Sequence, residues 1–164
     1  MAETANIRKP ASDGKKSAIG QERHAIYKSV WQQINHAKKA RCWLEVITLA
    51  ESVIADRLEA RIAHINGQHE DARKARTAAQ SAQKLLRIED AKDDDIPAIY
   101  DEVSTWSKRR NMALHAMAKL FETTTNKWNE RYQHAEQAAK DGENLARRVS
   151  ALVRRLNTSS QPIR

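Results

Sequence analysis

A chain of 164 residues has the length of one ordinary domain, and its 29 Lys and Arg against 21 Asp and Glu give a formal charge of +8. No 18-residue apolar stretch is present, which excludes a membrane-spanning helix, and the polar stretch from Met1 to Gly20 lacks the apolar core of a secretory signal. Cys42 stands alone, so no internal disulfide and no paired-cysteine zinc site can form; a reducing cytoplasm is expected, without metal or cofactor.

Residues 1–19 mix Lys, Ser, Gly and Pro without periodicity and read as a flexible basic arm. The helical domain is expected over residues 20–156, with 157–164 as a tail. A first helix over about 21–40 is marked by Ala25, Tyr27, Val30, Trp31 and Ile34. It closes on Lys38, Lys39 and Arg41, where cations suit the negative end of a helix dipole. Cys42 is expected as a small buried residue at the next helix start.

From Trp43 to Ile65, Ile47, Ile54, Leu58, Ile62 and Ile65 form one stripe, with Leu49 and Val53 beside it. Glu51 falls inside that stripe. A carboxylate there needs a partner, and the candidates are Arg61 or an arginine of another helix. Asn66-Gly67 marks a break. A thin stripe of Ala72, Ala75, Ala79, Ala82 and Leu86 then suggests a hairpin arm or a partner-binding helix. The acidic run from Glu89 to Asp95 reads as a loop, with Asp95 capping a helix whose first turn holds Pro97.

That helix is expected over about 96–122, carried by Ile99, Val103, Trp106, Leu114, Met117 and Phe121. Lys108, Arg109 and Arg110 interrupt the pattern, which suggests a kink or restart. The segment 123–126 offers caps for a last helix over about 127–156. Its stripe runs Trp128, Tyr132, Ala135, Ala139, Leu145, Val149, Leu152 and Leu156, with Gly142 marking close packing or a break. The sum is an all-α fold, an antiparallel bundle of four to five helices whose second, fourth and fifth members supply the core. No phosphate-binding glycine loop, strand pattern or HExxH is present, which excludes P-loop enzymes, dinucleotide-binding enzymes and metalloproteases of that type.

Arg110-Asn111-x-x-x-His115 is the motif with chemical content. Asn111 and His115 are four apart and share one helical face, with Arg110 beside it. An arginine fork grips a phosphate with two donors, while an imidazole moves a proton near neutral pH. RNA supplies its own nucleophile, the 2′-hydroxyl, so these groups suffice in principle for cleavage without metal. The surplus of positive charge is consistent with an anionic partner, and Lys108, Arg109, Arg154 and Arg155 are candidate contacts to its backbone. A looser arginine-to-histidine spacing, Arg57 to His64, has no asparagine after the arginine and reads as surface.

Arg-Asn-x-x-x-His on the penultimate helix of a small α-bundle resembles the HEPN superfamily (higher eukaryotes and prokaryotes nucleotide-binding). Its signature is Arg, four to six residues, then His, often with Asn after the Arg. The resemblance implies a metal-independent endoribonuclease of a toxin–antitoxin or antiviral defence system. It implies RNA as substrate, a homodimer with a composite site, and a possible cognate antitoxin or defence-system subunit. Arg110, Asn111 and His115 would be the catalytic set, with Glu51 positioning Arg110. The competing readings are a helix whose Arg110 only salt-bridges Glu51 and whose His115 is a core or interface histidine, a non-catalytic helical adaptor, or a regulatory or antitoxin subunit that keeps the fold alone.

Overall fold

The computed structural model describes residues 14–68, 74–89, 95–119 and 124–159, with side chains from residue 22 onward in the first of these segments. Five helices account for nearly all of them: α1 (Gly14–Lys39), α2 (Trp43–Ile65), α3 (Ala78–Ile88), α4 (Asp95–Ala118) and α5 (Thr125–Ser159). No strand occurs among the described residues, and no helix there is long and apolar enough to cross a membrane. Residues 1–13 of the basic arm, residues 90–94 of the acidic run, His69, Ala72, Phe121 and residues 160–164 lie outside the description.

Side-chain contacts give the directions of the helices. α1 runs against α2: Tyr27 donates to Asp56 near one end, and Gln33 donates to Glu45 at 2.7 Å near the other. α5 runs with α2. The Trp43 and Tyr132 rings meet edge to face at 6.5 Å at their starts, and Arg61 donates to Asn157 at 3.0 Å near their ends. α3 also runs with α2, from Ala78 beside Glu51 to Glu89, just past its end, beside Arg61. α4 runs against all three, since its Tyr100 reaches Glu89 and its Arg110 reaches Glu51. The parallel order of α2 and α3 requires the intervening chain to travel back about 20 Å along α2.

Gly67 starts that return with φ +62, its N–H bonding the His64 carbonyl at 3.1 Å while Gln68 bonds that of Ala63 at 2.9 Å. This left-handed closure ends α2 at the expected place. Glu59 then holds the returning chain at Lys74 and Arg76. Its buried carboxylate accepts from Arg76 Nη1 at 2.8 Å, from Ser81 Oγ at 2.8 Å and from the Lys74 N–H at 3.3 Å. Thr77 caps α3 in a reciprocal box with Gln80.

The core lies between α2 and α5, with α4 and α3 on one side and α1 on the other. Four expectations need correction. α1 starts at Gly14, inside the stretch read as an arm. α3 buries Ala78, Ser81, Ala82 and Leu85 against α2 and α4, whereas Leu86 is exposed. Ala82 is buried as expected, but Ala78 and Leu85 replace Ala79 and Leu86 on the buried side, because Ala78-Ala79 and Leu85-Leu86 offer two near-equivalent apolar tracks. α4 continues unbroken through Lys108–Arg110. Cys42 does precede a helix start, but it is exposed.

Gly142 marks close packing. A Cβ there would stand within 2.8 Å of Cε2 of Trp106. The fully buried indole lies against α5 and donates from Nε1 to the Ala138 carbonyl at 2.9 Å. This contact fixes the rotation of α4 about its own axis, and therefore which way the next turn, with Arg110, faces.

Candidate functional site on helix α4

With Trp106 set against α5, Val103, Ser107, Arg110 and Ala113 follow the inward side of α4, where the last of these is buried and Arg110 is 17% exposed at its side chain. The arginine does not interrupt the buried stripe. It is part of it. Lys108, Asn111, Met112 and His115 lie on the outward side and are exposed. Five residues at 3.6 per turn place Arg110 and His115 about 140° apart around the helix. The expectation that Arg110 lies beside the Asn111–His115 face is corrected accordingly: within one chain the guanidinium and the imidazole point to different sides.

Arg110 crosses to α2, where its Nη2 stands 2.9 Å from Glu51 Oε1. Of the partners weighed for Glu51, the arginine of another helix is the one found; Arg61 pairs with Glu89 instead. The same Oε1 accepts from the Ala78 N–H at 3.0 Å. Glu51 thus joins the motif helix to the first turn of α3, whose free N–H groups and positive dipole end favour a carboxylate. The pair is incompletely satisfied. Glu51 Oε2, Arg110 Nε and, one turn earlier on α4, Ser107 Oγ are buried without a hydrogen-bond partner among the described residues.

Of the expected backbone contacts, Lys108 is exposed beside the motif and Arg109 is tied to Asp141 at 3.1 Å. Arg154 and Arg155 are exposed near the end of α5. Arg155 shares a shallow cleft with Ile99, which lies about 16 Å along α4 from Arg110. The structure therefore does not gather the four cations into one patch. Arg57 is half-buried over the Tyr27 ring.

A groove beside the motif was not anticipated. Arg109, Met112, Ala113 and Ala116 of α4 face His134, Gln137, Ala138 and Asp141 of α5 around about 380 Å³ of largely apolar space. Met112, 64% exposed, rises at its edge. Helical periodicity signals only the buried stripe, so an edge groove between two helices left no sign in the sequence.

Comparison of the chain with family models, curated proteins and solved structures finds no match.

Proposed function

We propose that the chain is a metal-independent endoribonuclease of HEPN type, acting in a toxin–antitoxin or antiviral defence system as a homodimer. Its principal support is the motif on α4: Asn111 and His115 exposed four residues apart, and Arg110 held by a carboxylate from a neighbouring helix. His115 takes the proton of the RNA 2′-hydroxyl, whose oxygen attacks the adjacent phosphorus. The bond from phosphorus to the 5′-oxygen breaks, and a second imidazole returns a proton to that oxygen, leaving a 2′,3′-cyclic phosphate. Arg110 stabilises the charge on the phosphorane, Asn111 orients the phosphate, Glu51 positions Arg110, and Lys108 contacts the backbone.

One chain supplies one His115, on the opposite side of α4 from its own Arg110. The second imidazole therefore comes from a second copy, brought in by twofold pairing along the outward face of α4, where Met112 and Ala116 offer a knob and a small neighbour. Arg110, inward in each copy, must swing from Glu51 to reach the phosphate. The inward position of Arg110 also favours a second reading, a non-catalytic helical adaptor that binds a protein helix along the Met112 groove.

RNA incubated with the protein in EDTA separates the two. Ends bearing a 2′,3′-cyclic phosphate, lost on His115→Ala while the helical spectrum stays unchanged, are the expected result. Intact RNA at high enzyme, with the chain dimeric by sedimentation, would leave the adaptor standing.

A further inference from the structure

On the far side of the α2–α5 pair from α4, the middle of α1, the second half of α2 and the end of α5 line a cleft of about 560 Å³. Its lining carries Arg23, Arg57 and Arg154 against one carboxylate, Asp56. Asp56 already accepts the Tyr27 hydroxyl. Six other arginines of the bundle, Arg61, Arg76, Arg109, Arg110, Arg147 and Arg148, each face a carboxylate. Among the described residues Arg57 and Arg154 face none. Arg57 is instead laid on the Tyr27 ring, its guanidinium carbon 3.7 Å from the ring centre, and its buried Nε has no acceptor.

Asn157 adds a directed donor. Its Oδ1 accepts from buried Arg61 at 3.0 Å, which leaves its amide NH₂ to face elsewhere, and Asn157 lines the cleft. Two uncompensated guanidinium groups and an oriented amide make a receptor for a compact anion with several oxygens. The wall formed by Arg23, Tyr27 and Asp56 continues into a second, mainly apolar cleft of about 360 Å³ lined by Ile26, Val30 and Val53. Ile26 is 55% exposed there. Both volumes fall in the range of small-molecule sites.

We infer that these joined clefts bind a small phosphomonoester, its phosphate between Arg57 and Arg154 and its apolar portion against Ile26 and Val30. The site is independent of the α4 motif.

Calorimetric titration of the full chain with adenosine 5′-monophosphate, inorganic phosphate and adenosine tests it. The monophosphate should bind, with inorganic phosphate weaker and adenosine undetected. Arg154→Glu, at an exposed position that leaves packing intact, should weaken monophosphate binding tenfold or more, and Arg57→Gln should do the same. Arg110→Ala should leave it unchanged. Absence of binding at millimolar monophosphate, equal binding of adenosine, or binding indifferent to Arg154→Glu would overturn the assignment.

Discussion

Two of the carboxylate–arginine pairs on helix α2 are built to different standards. Near its end, Arg61 sends Nε and Nη2 to Glu89 Oε1 at 2.9 and 2.6 Å and Nη1 to Asn157, while Tyr100 donates to Glu89 Oε2 at 2.5 Å. One cluster thereby ties α2, the end of α3, α4 and α5 together. Burial, reinforced by the Glu89 carboxylate, raises the Tyr100 phenol far above its ordinary value, so it remains a donor at any working pH. Ten residues earlier, Glu51 and Arg110 meet through one oxygen, and three polar atoms around them lack partners. Buried polar groups in structural networks are satisfied, whereas groups left short are the ones available for other work. The contrast marks Arg61 as a clamp of the bundle, and it is consistent with the role proposed for Arg110.

Breaking the satisfied cluster should have the largest effect on stability. Arg61→Ala leaves Glu89 and Tyr100 buried against a missing cation, and a loss of about 3–5 kcal/mol is expected from urea unfolding. Gly142→Ala comes next, because its methyl must displace an indole already resting on α5; a loss on the order of 1–3 kcal/mol is expected. It should also lower any activity of the α4 motif, since Trp106 sets the rotation of that helix.

The acid response sharpens the comparison further. Burial works against ionising Glu59, but hydrogen bonds from Arg76, Ser81 and Lys74 together outweigh it and hold the carboxyl below its ordinary value. Burial likewise opposes ionisation of Glu143, and Lys38 and Arg147 outweigh it in the same way. A depressed carboxyl stabilises the fold fully above its unfolded-chain value of 4.5 and loses that contribution as pH falls through the folded value. The urea midpoint should therefore drop below about pH 4.5, and the drop should be shallower in Glu59→Gln, which has no proton to take up at that position.

The helix order, the α2 stripe, the end at Gly67 and the cation-rich last turn of α1 were legible in the sequence, because each depends on residues close together in the chain. So was the need of Glu51 for an arginine from elsewhere: a carboxylate amid Ile47, Ile54 and Leu58 has few alternatives. The seat of Trp106 on Gly142 was not legible, although each residue was notable alone, because nothing local pairs positions 36 apart. The register of α3 was lost to doubled apolar tracks. The direction of Arg110 was misread because an arginine in a buried stripe looks like an interruption until its partner is known.

The most direct test of the distinction between the two arginines is to measure stability and RNA cleavage together in Arg110→Ala and Arg61→Ala. Arg110→Ala should reduce cleavage on the order of 10²-fold or more while its urea midpoint stays closer to that of the parent chain than the midpoint of Arg61→Ala does. Cleavage by Arg110→Ala equal to the parent, with a stability loss as large as that of Arg61→Ala, would show that Glu51 and Arg110 are a second structural clamp and contradict the account.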